Sequence, residues 1–170
     1  MPNMSKILSR QNAKIAHKNE QHNQEPRCNC EGGVDDCPLG GGCTVEGVVY
    51  CAQVMRLDNN KSEFYTGLTG GTFKDRYTAH QCDFRHEKRK GTCLSKYIWS
   101  LKNEKIPYKV DWKILSRGRI FNPVTRTCRL CLLEKYFISF HPKTATLNNR
   151  REMFNTCMHR KGKLLEKFNT

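Results

Sequence analysis

The chain has 170 residues, enough for one hydrophobic core with appended segments. Lys and Arg number 30 against 16 Asp and Glu, a formal charge of +14, which points to a phosphate-rich partner and to nucleic acid ahead of an acidic membrane surface, since no basic amphipathic helix stands out. No apolar run approaches the ~18 residues that a bilayer-spanning helix needs, and residues 1–27 carry no apolar leader core.

Residues 1–27 are polar and poor in aromatics, and read as a flexible or weakly helical lead-in. Residues 28–44, CNCEGGVDDCPLGGGCT, are too rich in Gly and Cys to build an aliphatic core and call for a staple. From Val45 the pattern changes. VEGVVYCAQVMRL is β-branched, DNNKS is turn chemistry and EFYTGL reads as a second strand, so 45–69 is expected to form a hairpin. Thr72, followed by Asp75, marks a helix N-terminus; on that helix Arg76 and His80 share a face, and Phe73 and Tyr77 form an adjacent stripe expected to pack inward. RHEKRKG, 85–91, reads as a basic loop.

Leu94, Tyr97, Ile98 and Leu101 repeat at i, i+3, i+4, i+7 and predict a second, amphipathic helix. Tyr108, Val110, Trp112 and Ile114 alternate and predict a third strand. CRLCLLEKYFISF, 128–140, predicts a mostly buried helix, and the basic end of the chain is expected to be helical in parts. The order β-β-α-α-β-α makes this an α+β domain with a small sheet. The organisation expected is a lead-in over 1–27, a Cys-rich segment over 28–44, a core over 45–150 and a basic C-terminal segment over 151–170.

With no secretory leader, ten cysteines suggest a reducing compartment and metal binding rather than disulfides. Cys28, Cys30, Cys37 and Cys43 fall within sixteen residues, and four thiolates can close a tetrahedral zinc site; the bland alternative is four free thiols in a loop. Cys128, Cys131, Cys157 and His159 could form a second site, against two buried cysteines and an exposed pair; pairing mixed between the clusters is also open. Cys51, Cys82 and Cys93 read as lone core or surface thiols. Glu134 interrupts an apolar helix, and is either solvated on an outer edge or buried with a metal or a cation. A helix face carrying Arg76 and His80 ordinarily meets water or DNA.

The ordered set CNC, CPL, VVY (48–50), YTGLT (65–69), FKDRY (73–77), LSKYIWSLK (94–102), CRLCLLEK (128–135), LNNRRE (147–152) and CMH resembles the GIY-YIG nuclease family, and more closely the endonuclease region of Penelope-like retroelements, over about residues 5–160. The resemblance implies a three-stranded antiparallel sheet flanked by helices, with zinc-binding elements. It implies catalytic roles for Tyr50, Tyr65, Gly67, Arg76, His80, Glu134 and Asn148. Val48 stands where the motif has glycine and Thr66 where it has isoleucine, and Asn149 is an alternative to Asn148.

The implied activity is metal-dependent nicking of double-stranded DNA, the step that frees a 3′ hydroxyl for target-primed reverse transcription. Glu134 would hold one hard ion, Mg²⁺ or Mn²⁺. Arg76 would clamp a phosphate oxygen. Tyr50 would orient or deprotonate the attacking water, although its unperturbed pKa is ~10, with His80 or Lys74 as alternative acceptors of the proton. Tyr65 would bond the phosphate or its water. Lys74, Arg85, Lys88, Arg89, Lys90, Arg150, Arg151, Arg160 and Lys161 are the expected phosphate contacts. A nuclear location follows from the substrate, a reverse transcriptase or RNA is a further expected partner, and the chain reads as an excised piece or a small stand-alone derivative. Two readings compete with the enzyme: a catalytically inactive, zinc-stabilised nucleic-acid-binding module, and an assembly factor that uses zinc to fold and charge to hold RNA.

Overall fold

The computed structural model describes residues 28–89, 91–119, 122, 127–149 and 157. The lead-in, Lys90, Arg150, Arg151, His159, Arg160 and Lys161 lie outside the described residues. Three strands, β1 (Glu46–Arg56), β2 (Ser62–Thr72) and β3 (Tyr108–Arg117), form one antiparallel sheet in the order β2-β1-β3. Among the described residues three helices flank it: α1 (Phe73–Arg85), α2 (Cys93–Asn103) and α3 (Arg129–Phe140). The fold is therefore α+β with a small three-stranded sheet, in the element order read from the sequence. No helix among the described residues is long and apolar enough to cross a membrane.

The central strand explains the layering. Its residues alternate between faces, yet Val48 to Ala52 are all buried, so both faces must be covered there. Val48, Tyr50, Ala52 and Val54 join Phe73 and Phe84 of α1 and Leu94, Ile98 and Leu101 of α2 in the main core. Each fully buried aliphatic side chain there contributes about 1.5–3 kcal/mol. Val49 points to the other face, where Leu68, Leu115, Leu130, Leu133 and Phe137 meet it under α3.

α1 begins where the backbone of β2 hands over to a cap. The first N–H groups of a helix have no partner within it. Here the Asp75 N–H donates to the Thr72 hydroxyl at 3.1 Å, and the Phe73 and Lys74 N–H groups donate to the carbonyls of Val45 and Cys43 at 2.8 and 2.7 Å. The Cys-rich segment thus caps α1. Lys74 adds a tie from its ammonium to the Asn29 carbonyl and side-chain oxygens, 2.9 and 2.8 Å. α2 carries a reciprocal capping box between Thr92 and Ser95.

The expected basic loop after Phe84 is shorter than the sequence suggested. α1 runs to Arg85 and a 3₁₀ turn takes Glu87–Arg89. α3 is also less buried than expected. Only its Leu130 is fully enclosed, while Leu132, Tyr136 and Phe140 are exposed. A three-stranded sheet is narrow, and a single helix on its face can bury only one stripe.

The outer edge of β2 would present unpaired backbone groups. The segment after α3 covers them. The Phe64 N–H donates to the Thr146 hydroxyl and the Leu147 N–H to the Phe64 carbonyl, both at 2.8 Å. Asn148 accepts from the Thr66 N–H and donates to the Thr66 carbonyl, each at 2.8 Å. Its amide side chain thus stands in for one residue of a fourth strand.

Candidate active site and metal centres

Register brings the two tyrosines together. Tyr50 pairs with Gly67 and Ala52 with Tyr65, so Tyr50 and Tyr65 are diagonal neighbours on the face that α1 covers. Gly67 is the space into which the Tyr50 ring fits. A Cβ at that position would lie 2.5 Å from the Tyr50 oxygen, 2.7 Å from Cζ and 3.0 Å from Tyr65 Cε1.

α1 then lowers two side chains, one turn apart, onto the phenol. Arg76 Nε donates to the Tyr50 oxygen at 2.9 Å, and His80 Nε2 lies 2.8 Å from it. The Tyr65 oxygen is close enough to favour the Arg76 charge as well. Trp112 on β3 closes the cage, with its ring centroid 5.8 Å from Tyr50 and 5.4 Å from His80. The face of α1 bearing Arg76 and His80 therefore packs against the sheet, with His80 buried and Arg76 half-buried.

Charge in this cage is asymmetric. Burial alone would lower the Arg76 pKa, but the Tyr50 and Tyr65 oxygens outweigh it and raise the value, so the guanidinium stays a cation. His80 is pushed down to about 3, by burial first and by the Arg76 charge second. The imidazole is neutral at physiological pH. Its Nδ1 is buried with no hydrogen-bond partner among the described residues. With the ring proton on Nε2, the phenol oxygen receives two N–H donors; with it on Nδ1, Tyr50 donates to Nε2 and a ring N–H is buried unpaired. Either way, protonating the ring would set a second cation beside Arg76, which argues against His80 as a proton relay. The Lys74 ammonium donates to the Asn29 carbonyl and side-chain oxygens.

Glu134 lies half-buried on α3, the helix that packs on the opposite face of β1 and β2 through Leu130, Leu133 and Phe137. Asn148 sits at the β2 edge beside Tyr65 and Gly67, with its amide engaged by the Thr66 backbone, so it positions the strand that carries both. Asn149 is exposed. Arg85, Lys88 and Arg89 are exposed at the far end of α1, and Arg89 donates to the Cys82 sulfur at 2.9 Å.

The first cysteine cluster closes as expected. The sulfurs of Cys28, Cys30, Cys37 and Cys43 all lie within 4.8 Å of one another. Cys28 and Cys30 stand 3.6 and 3.7 Å from Cys43. A tetrahedral zinc with Zn–S bonds of ~2.3 Å sets its sulfurs about 3.8 Å apart, and a disulfide would need ~2.05 Å. The spacing fits a structural metal such as zinc. Cys37 is held at about 7: burial opposes this, but the backbone N–H groups of Leu39 and Gly41 stabilise the thiolate. Burial, followed by the neighbouring sulfurs, pushes Cys43 up to about 12.

Cys128, Cys131 and Cys157 form a second group within the same span, with Cys131 and Cys157 3.5 Å apart. Three thiolates leave one position of a tetrahedron for a further ligand. The lone thiols differ among themselves: Cys51 is buried against the Thr144 carbonyl, while Cys82 and Cys93 are half-buried.

Sequence reasoning missed the contribution of Trp112 to the cage and the strap along β2. Alternation in β3 signalled the first. The strap joins residues 82 positions apart through single polar contacts, which leave no periodic trace. No protein-family model, curated protein or solved structure matched the chain.

Proposed function

We propose that the protein is a divalent-metal-dependent DNA endonuclease of the GIY-YIG type, which nicks one strand of a duplex as the target-site nuclease of Penelope-like retroelements would. One observation carries this reading. Of the seven residues singled out by the motif resemblance, Tyr50, Tyr65, Arg76 and His80 meet in one cage around Gly67, while Asn148 lies at the β2 edge and Glu134 on α3 across the sheet. A merely fortuitous match of short motifs gives no reason for a half-buried arginine and a buried histidine to converge on one phenol oxygen.

The chain's own residues divide the work. Arg76 has more N–H donors than the Tyr50 phenol uses, and the rest can grip a non-bridging phosphate oxygen. Its charge favours the anionic form of the Tyr50 oxygen. That oxygen can then take the proton of the attacking water as the new P–O bond forms and the bond to the 3′ oxygen breaks. Neutral His80 fixes the phenol's orientation. Tyr65, 6% exposed, would bond the phosphate or its water. Glu134 is a half-buried carboxylate, a hard oxygen donor that suits Mg²⁺ or Mn²⁺ better than zinc. The helix that carries Glu134 lies on the sheet face opposite the cage, so an ion held there would neutralise charge on the phosphate and the departing 3′ oxygen of a substrate that spans the sheet edge between them. Zinc in the cysteine clusters would hold the scaffold. Double-stranded DNA is the partner and the nucleus the implied site of action.

A second reading has its own support: Tyr50 and His80 are fully buried, as scaffold residues would be. In that case the cage is a satisfied core and the protein a zinc-stabilised nucleic-acid-binding module. Supercoiled-plasmid cleavage with Mg²⁺ or Mn²⁺ separates the two, using the parent and Glu134→Ala, both with zinc retained. The nuclease reading expects the parent to give open circles and the variant to be slower by about a hundredfold or more. Folded, DNA-binding proteins that both leave the plasmid intact would establish the binding module instead.

A further inference from the structure

Three exposed arginines outside the tyrosine cage converge on one groove. Arg117 at the end of β3, Arg119 just beyond it and Arg129 at the start of α3 line a space of about 330 Å³ with Glu46, Gly47 and Gly118. None of the three forms an ion pair among the described residues. Arg117 also lines a second groove of about 430 Å³, where Lys113 and Trp112 face Leu39 of the Cys-rich segment. The two spaces share Arg117 as a lining residue.

The backbone beneath the first groove is fixed. Gly118 N–H donates to the Gly47 carbonyl at 2.8 Å, and Leu130 N–H to the Arg119 carbonyl at 3.2 Å. Gly47 has φ +62°, and a Cβ there would lie 2.7 Å from the Gly118 carbonyl oxygen. The arginines thus project from a rigid junction of β1, β3 and α3. Three like charges with one acid among them repel, and the arrangement is favourable when anions lie between them. Guanidinium forks match phosphodiester oxygens. Gly47 is three residues from Tyr50, about 10 Å along a strand. One DNA backbone is long enough to reach both the groove and the cage.

We infer that Arg117, Arg119 and Arg129 form a second contact site for the backbone phosphates of duplex DNA, apart from the tyrosine cage. The inference rests on the nuclease reading for its partner, and its test is independent of cleavage. Binding of a labelled duplex of about 30 base pairs is followed by fluorescence anisotropy from about 50 to 200 mM salt without divalent ions. The proteins are the full chain, the triple variant Arg117→Gln, Arg119→Gln, Arg129→Gln, and a charge-matched control, Lys96→Gln, Lys105→Gln, Lys143→Gln. The control lysines are exposed and lie outside the groove. Zinc content and circular dichroism establish that all three are folded.

The slope of log affinity against log salt should flatten by about 0.9 per arginine, about 2.7 for the groove variant, with little change in the control. Equal losses in the two variants, or parental binding by the groove variant, overturn the site. Tighter binding of the parent to single-stranded RNA than to the duplex overturns its assignment to DNA. A parent that binds through the groove but never nicks leaves the site standing and removes the nuclease reading. A groove variant with full affinity, beside nicking that depends on Glu134, does the reverse.

Discussion

Gly67 shows how much of the candidate site depends on one missing atom. The Tyr50 oxygen reaches Arg76 and His80 only because its ring passes over a residue without Cβ, and the nearest atoms to any added methyl belong to a ring held on its far side by Phe73 and Trp112. Gly67→Ala should therefore destabilise the fold by about 1–3 kcal/mol, as overpacking of a filled core does. It should also abolish nicking by displacing the phenol. Urea unfolding and plasmid cleavage measure the two effects; an alanine variant of parental stability would mean that the ring has room to move. This requirement was visible in the sequence only as a glycine two residues after a tyrosine. A glycine in a strand ordinarily marks a weak point or a close approach, and the ring that needs the space lies on another strand. Arg76 and His80 were legible as one helix face, yet that face turned out to pack against the sheet, because helical spacing fixes which residues share a side and not what covers that side.

At the scale of elements, the Cys-rich segment and α1 form one unit. Hydrogen bonds from Phe73 and Lys74 to Val45 and Cys43 complete the first turn of the helix that presents Arg76 and His80. A metal on the four thiolates would hold those carbonyls in place. Removing zinc with a selective chelator while Mg²⁺ is supplied, or replacing the buried Cys43 by serine, should release the amides of Phe73 and Lys74 to hydrogen exchange and abolish nicking together. If those amides stay protected after zinc has left, α1 is capped independently of the metal. The cysteine cluster was legible from count and spacing alone, since four thiols in sixteen residues have few other uses. Its attachment to α1 was not, because it runs through backbone carbonyls, which carry no residue identity.

At the scale of the whole molecule, element order and type followed from periodicity, whereas the strand order β2-β1-β3 and the distribution of helices over two faces depend on contacts distant in sequence. The same long-range packing gives the molecule a stability that depends on pH through one buried ring. His80 binds a proton near 6.5 in the unfolded chain and only near 3 when folded. Between those values the unfolded state holds more protons, so stability falls as pH falls through the window; above about 6.5 the ring is neutral in both states and contributes no slope. Acid also releases thiolate-bound metal, so the ring's share is read as a difference between the parent and His80→Gln, in which the cysteines are common to both. Relative to the variant, the parent should lose about 1.4 kcal/mol more between about pH 7.5 and pH 5.5 in urea titrations. Parallel pH profiles would mean that the ring takes up its proton in the folded state, as a cation beside Arg76, and that the cage is open enough to solvate it.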